Sequence, residues 1–94
     1  MEFDEIIMQL LLIAKDYLGI NKIILFGSYA KNKNNKYSDI DIAISGNFDY
    51  FGFVERVETE IETLKSFDIV EYDAIVSEAF KEEIDKYGKI LYQV

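Results

Sequence analysis

Two short isoleucine-rich runs constrain this chain more than anything else in it. Lys22-Ile23-Ile24-Leu25-Phe26 leads straight into Gly27-Ser28-Tyr29-Ala30-Lys31. Eleven residues after Ser28 stands Asp39, in the run Ser38-Asp39-Ile40-Asp41-Ile42-Ala43-Ile44. Short β-branched apolar runs bounded by turn residues read as strands. Successive side chains on a strand face opposite ways, so Ile40, Ile42 and Ile44 share one face while Asp39 and Asp41 share the other. The isoleucines can enter a core. The two carboxylates then crowd together at the strand's end, beside a Gly-Ser turn.

That crowding is costly unless a cation neutralises it. Mg²⁺ takes oxygen ligands, usually one or two carboxylates with phosphate oxygens and water. Gly27 leaves no side chain where a phosphate must approach the backbone. Ser28 suits a helix N-cap, and a helix N-terminus turns free N–H groups toward phosphate. Taken singly, a Gly-Ser turn and an Asp-x-Asp on a solvated antiparallel strand are both ordinary. In this order, after a strand and with a short connector, they point to a nucleoside triphosphate held at one end and Mg²⁺ at the other.

The rest of the chain reads as alternating helices and strands. Phe3, Ile6, Ile7, Leu10, Ala14, Tyr17 and Leu18 form a helical stripe that Gly19 is expected to stop. Met8, Leu11, Leu12 and Ile13 widen the apolar surface of that helix, so its cover comes from neighbouring helices or from another subunit. Lys22 to Phe26 and Asp39 to Ser45 are strands, a short helix starts at Ser28, and Asn32 to Lys36 is turn-like. Asp49 to Leu64 reads as a helix with Tyr50, Val54, Val57, Ile61 and Leu64 on one face. Phe67 to Tyr72 is a third strand, and Ser77 to Tyr87 a helix capped by Ser77 and ended by Gly88. Lys89 to Gln93 adds a last strand. The order predicts an α/β domain with helices packed on one small mixed sheet.

Ninety-four residues are expected to form one small domain, residues 1–94. There is no cysteine and no histidine, which excludes thiolate nucleophiles, imidazole bases and the usual zinc sites. A formal net charge of −8 argues against a general nucleic-acid binder and suits a basic partner, or simply solubility. Acidic Glu2, Asp4 and Glu5 stand where a signal peptide needs basic residues, and no apolar stretch reaches membrane-spanning length. A cytoplasmic location is expected.

Gly27-Ser28-Tyr29-Ala30-Lys31 … Ser38-Asp39-Ile40-Asp41-Ile42 resembles the nucleotidyltransferase motif of the DNA polymerase β superfamily. The short chain resembles its minimal nucleotidyltransferase (MNT) branch, the antitoxin partners of HEPN proteins. Phe67-Asp68-Ile69-Val70 resembles the family's third strand. Lys81-Glu82-Glu83-Ile84 through Gly88-Lys89-Ile90-Leu91-Tyr92 resembles the branch's closing helix and strand. The resemblance implies a polymerase β-like fold. It implies Asp39, Asp41 and Asp68 as catalytic and metal-binding residues, with Glu71 and Asp73 as rivals for the third place. Gly27, Ser28, Lys31 and Ser38 would meet the triphosphate. Two departures stand out. Tyr29 takes a place where many members have Arg, so Lys31, Lys33 or Lys36 would have to compensate. Asn32 replaces a Gly, and Asn tolerates left-handed backbone angles better than most residues.

What the resemblance implies chemically is transfer of AMP from ATP to a hydroxyl, with Mg²⁺, as two ions, at the three carboxylates. Since the motif occupies nearly the whole chain, a partner should complete the site. The branch implies a HEPN-type helical protein whose tyrosine is the acceptor. The assembly would be a hetero-oligomer, or a homodimer if the chain works alone. Two other readings stay open: a silent fold that neutralises its partner by contact, through aromatics such as Phe48, Tyr50, Phe51 and Phe53, and a small-molecule nucleotidyltransferase.

Overall fold

β-branching at Ile23, Ile24, Ile40, Ile42 and Ile44 suits a pleated, buried surface, and these residues form the two central strands of a sheet. The computed structural model describes residues 2–94. In chain order the elements are α1 (Phe3–Ala14), β1 (Ile20–Phe26), α2 (Gly27–Ala30), β2 (Ile40–Gly46), α3 (Tyr50–Glu60), β3 (Phe67–Glu71), a 3₁₀ turn (Tyr72–Ala74), α4 (Glu78–Tyr87) and β4 (Lys89–Gln93). The four strands lie in the order β3-β2-β1-β4. β1 runs antiparallel to β2 and to β4, whereas β2 and β3 are parallel. A parallel pair needs a long crossover, and α3 supplies it.

The strand alternation sorts the core. Ile40, Ile42 and Ile44 face α1 and α3, together with Ile6, Leu10, Phe53 and Val57, all at most 1% exposed. The opposite face is thinner. There Ile24, Ala43 and Ile84 are buried, with Phe26 and Phe80 packed edge to face at 5.6 Å. α4 and the 3₁₀ turn supply this second cover. Ser77 caps α4, its hydroxyl accepting from Phe80 N–H at 3.2 Å.

Several boundaries move from their expected places. α1 ends at Ala14, not beside Gly19, because the chain turns back through Asp16 N–H to Ile13 O and Tyr17 N–H to Ala14 O. Tyr17 then packs edge to face on Phe53, and Leu18 is left in solvent. Gly19 serves instead for close approach: a Cβ there would lie 1.6 Å from the Asn47 carbonyl oxygen. β1 begins at Ile20 rather than Lys22, β2 starts at Ile40, just after Asp39, and β3 ends at Glu71. α3 is shorter than its pattern, Tyr50–Glu60, with Asp49 as cap for Gly52 N–H and Leu64 wholly exposed. Neighbouring helices cover only part of α1, leaving Met8 and Leu12 half or more exposed. Of the aromatic group, Phe53 is buried, Phe48 and Tyr50 are half-buried, and Phe51 is exposed. No helix of the described residues is long and apolar enough to cross a membrane.

Candidate active site

The face of the sheet opposite Ile40 and Ile42 carries the carboxylates. Asp41 is in register with Phe26 at the end of β1 and with Asp68 on the parallel strand β3. Asp39 stands one residue before β2 and is exposed. Asp41 is half-buried, and its carboxyl is pushed up from the ordinary 3.8 to about 6. Partial burial is the main cause, followed by the charges of Asp68 and Asp39 and by a hydrogen bond shared with Asp68. The three acidic residues therefore feel one another, with Asp41 at their centre.

Gly27 closes this group from the other side. It has φ +73°, and a Cβ on it would meet Asp41 Oδ2 at 2.1 Å. Any side chain would displace the carboxylate, so the absent Cβ is what lets Asp41 lie against the turn. The Gly27 turn opens the single-turn helix α2, but not as expected: Phe26 occupies the N-cap and no side chain caps it. Ser28 lies inside the first turn.

The exit from α2 follows the expectation for Asn32. Its φ is 57°, and Lys33 N–H donates to Ser28 O at 2.9 Å while Asn32 N–H donates to Tyr29 O at 3.4 Å. These two bonds around a left-handed residue are a Schellman cap. Tyr29 turns inward, 8% exposed and stacked on Phe3 with centroids 4.4 Å apart. It belongs to the core, so no cation replaces the family arginine there.

The other predicted phosphate contacts have partners within the chain. The Lys31 ammonium is paired with Glu83 of α4 and lies 4.9 Å from the Tyr87 ring centroid. The Ser38 hydroxyl accepts from Asn35 N–H at 2.9 Å, and Tyr37 N–H donates to Asn35 Oδ1 at 2.8 Å. Ser38 thus builds the turn that delivers Asp39. Lys33 is exposed, and neither it nor Lys36 makes a salt bridge among the described residues. Asp73, the rival third carboxylate, caps the end of β2: Ser45 Oγ and Gly46 N–H donate to it at 3.0 and 2.9 Å. Glu71 lies opposite Ile44, at the far end of the ladder from Asp41.

Among the described residues no group of three or more His, Cys, Asp or Glu side chains is gathered closely enough to hold a metal ion. Mg²⁺ does not require one, since it keeps several waters and takes one or two carboxylates beside its phosphate ligands. The Asp41–Asp68 pair fits that demand. Its donors are all carboxylate oxygens, and the charge that Asp41 shares with Asp68 is unfavourable without a cation.

Residues missed by sequence reasoning hold the site from outside the motifs. Lys65, ahead of β3, donates to the carbonyls of Asn35 and Lys36 at 3.3 and 3.2 Å. Tyr50 donates its hydroxyl to the carbonyl of Ile69, next to Asp68, at 2.5 Å. Both act across tens of residues, and no local spacing in the sequence announces them.

A mixed four-stranded sheet with paired carboxylates beside a glycine turn defines a nucleotidyltransferase fold. The chain belongs to the polymerase β nucleotidyltransferase family, whose model matches residues 9–94. Among solved structures, it resembles a chain of a toxin–antitoxin MntA complex carrying two aspartate-to-glutamate changes, with a TM-score of 0.74, 19% identity, and 94% of this chain and 73% of that chain covered. It also resembles a chain of a toxin–antitoxin structure with AMP-PNP, at TM-score 0.73 and 22% identity, covering 99% of this chain and 75% of that one. A third is the complex of a tri-AMPylated Shewanella oneidensis HEPN toxin with its MNT antitoxin, at TM-score 0.70 and 20% identity, covering 97% and 72%. Among curated protein sequences none matches this chain.

Proposed function

We propose that this chain transfers AMP from ATP to a hydroxyl of a HEPN-type partner, a tyrosine in the first instance, and so acts as an antitoxin. The observation that carries the reading is Asp41 in register with Asp68, with the Gly27 turn in close approach to the Asp41 carboxylate. The three similar structures support it: one holds AMP-PNP and another an AMPylated HEPN toxin.

The reaction would join the acceptor oxygen to the α-phosphorus of ATP and break the bond to the β-phosphate bridge, releasing pyrophosphate. Asp39, Asp41 and Asp68 would hold Mg²⁺, as one or two ions, which supplies charge neutralisation on the phosphates and lowers the pKa of the attacking hydroxyl. Asp68, the more exposed of the β2–β3 pair, would take the hydroxyl proton. The backbone at Gly27 and Ser28 would face the phosphates. With Tyr29 in the core and Lys31 paired to Glu83, cationic help for the triphosphate has to come from Lys33, Lys36 or the partner.

That shortage of cations favours one other reading, a silent fold that neutralises its partner by binding. The two are separated by incubating the chain with Mg²⁺, ATP labelled at the α-phosphate and a candidate HEPN-type partner protein. Transfer of label to the partner is expected, and Asp41→Ala or Asp39→Ala should reduce it to background. Neutralisation without label, persisting in Asp41→Ala, would establish the binding reading instead. Label on a small hydroxyl compound with the chain alone would point to small-molecule transfer.

A further inference from the structure

Lys65 belongs to no motif, yet its ammonium group meets two parts of the candidate site at once. It donates to the carbonyl oxygens of Asn35 and Lys36, at 3.3 and 3.2 Å. It also lies 5.3 Å from the centroid of the Tyr29 ring. Tyr29 directly follows Ser28, Lys36 is three residues before Asp39, and Lys65 itself is three residues before Asp68. One side chain therefore ties together the approaches to both acidic strand ends and the Gly-Ser turn.

Two features mark this contact as more than a surface lysine at rest. In a chain of net charge −8, a lysine has many carboxylates to choose from, yet Lys65 makes no salt bridge among the described residues. Its charge goes to two neutral carbonyls and an aromatic face, on a half-buried stem. The backbone around it is also fixed. Thr63 Oγ1 accepts from Lys65 N–H at 3.1 Å, and the carbonyl of Ser66 accepts from Ile40 N–H at 2.9 Å, beside Asp39. The loop it holds is otherwise exposed from Asn32 to Tyr37, ordered by the cap at Asn32 and Lys33 and by the Asn35–Ser38 turn. A charged donor to a carbonyl is stronger than a neutral one, and it removes freedom that an exposed loop would keep.

We propose that Lys65 is the positioning residue of this site: it holds the loop that carries Asp39 against the Gly27-Ser28 turn and the start of β3. The proposal rests on reading those residues as a nucleotidyltransferase site. Lys65 acts through Asp39 and not on the substrate.

The test compares Lys65→Met, which keeps the apolar stem and removes the donor, with Lys65→Arg, which restores a donor. Amide exchange is followed by NMR in the metal-free protein, Mg²⁺–ATP binding by calorimetry and folding by thermal melting. In Lys65→Met, exchange from Asn35 to Asp39 should quicken and Mg²⁺–ATP affinity fall about tenfold, the usual scale for a residue that orients metal ligands. Lys65→Arg should recover both. Wild-type exchange in that segment of Lys65→Met would overturn the proposal. So would losses that track the melting temperature and are not recovered by Lys65→Arg. If the unaltered chain binds no Mg²⁺–ATP, the functional reading falls, and the exchange comparison still decides the role of Lys65.

Discussion

The two faces of the sheet are built from the same strands and serve opposite ends. Among the described residues, one face joins α1 and α3 in a continuous cluster of sixteen buried residues; the other joins α4 and the 3₁₀ turn around a cluster of three. Alternation along β2 is what divides them: Ile40, Ile42 and Ile44 go one way, Asp41 and Ala43 the other. On the first face every apolar side chain adds burial at roughly 25 cal/mol per Å². On the second, cover is incomplete, and that is where Asp41 and Asp68 sit with charge they hold at a cost. Stability and chemistry are thus separated by a single backbone period, so substitutions on the two faces should fail differently.

The largest expected effect lies on the thick face. Phe53 is fully buried and meets Tyr17 and Phe48 edge to face. Phe53→Ala should cost about 3–5 kcal/mol, by lost transfer free energy and a residual cavity. That is a large share of the total stability of a small domain, about 5–15 kcal/mol. Urea denaturation would measure it. The molecules that remain folded should transfer AMP at the rate of the unaltered chain, and a lower rate per folded molecule would mean that the faces are not independent.

Gly27→Ala comes next and should do the reverse. A left-handed φ costs a non-glycine residue about 1–2 kcal/mol. The new Cβ, 2.1 Å from Asp41 Oδ2, forces the carboxylate aside. The fold should survive, while transfer falls about a hundredfold, the scale of loss when a catalytic group is misplaced by about 1 Å. A folded Gly27→Ala protein with undiminished transfer would break the link between the turn and the carboxylates.

Much of this division was legible in the sequence, because it depends on short periods. The strand faces followed from alternate isoleucines, and the left-handed Asn32 from the glycine that the resembled motif carries at that place. What escaped depended on contacts distant in sequence. Lys65 reaches a loop 29 and 30 residues away, and Lys31 is drawn to Glu83, 52 residues on. Nothing in the run Lys31-Asn32-Lys33 indicates that the first lysine is paired and the other is exposed. Leu18 and Leu64 misled for a related reason. Each continued a helical stripe, but the chain had already turned, at Lys15 and at Ile61, to bring Tyr17 and Ile61 onto the core. Periodicity reports which face a residue would take if the helix went on; only packing ends it.

The smallest effect is also the most direct probe of the thin face. Burial and the charges of Asp68 and Asp39 raise the Asp41 carboxyl from 3.8 to about 6 in the folded chain. The folded state then binds a proton more tightly than the unfolded one between those two values, so rising pH in that window removes stability. Taken in full, the shift amounts to about 3 kcal/mol at 1.36 kcal/mol per unit. Asp41 is only half-buried, and solvent screening reduces this to about 1–2 kcal/mol. Asp41→Asn removes the charge and should stabilise the metal-free fold by that amount at pH 7, with no gain at pH 3.5, where the wild-type carboxyl is already protonated in the folded state. Carboxylates other than Asp39 and Asp68 contribute equally to both proteins, so the difference between their stability curves isolates Asp41 and its coupling to those two. Saturating Mg²⁺ should close the gap from the other direction, by stabilising the wild type at pH 7 and leaving Asp41→Asn nearly unmoved. A variant that melts at the wild-type temperature across pH 4 to 8, with and without Mg²⁺, would show that the carboxylates on β2 and β3 do not share their charge.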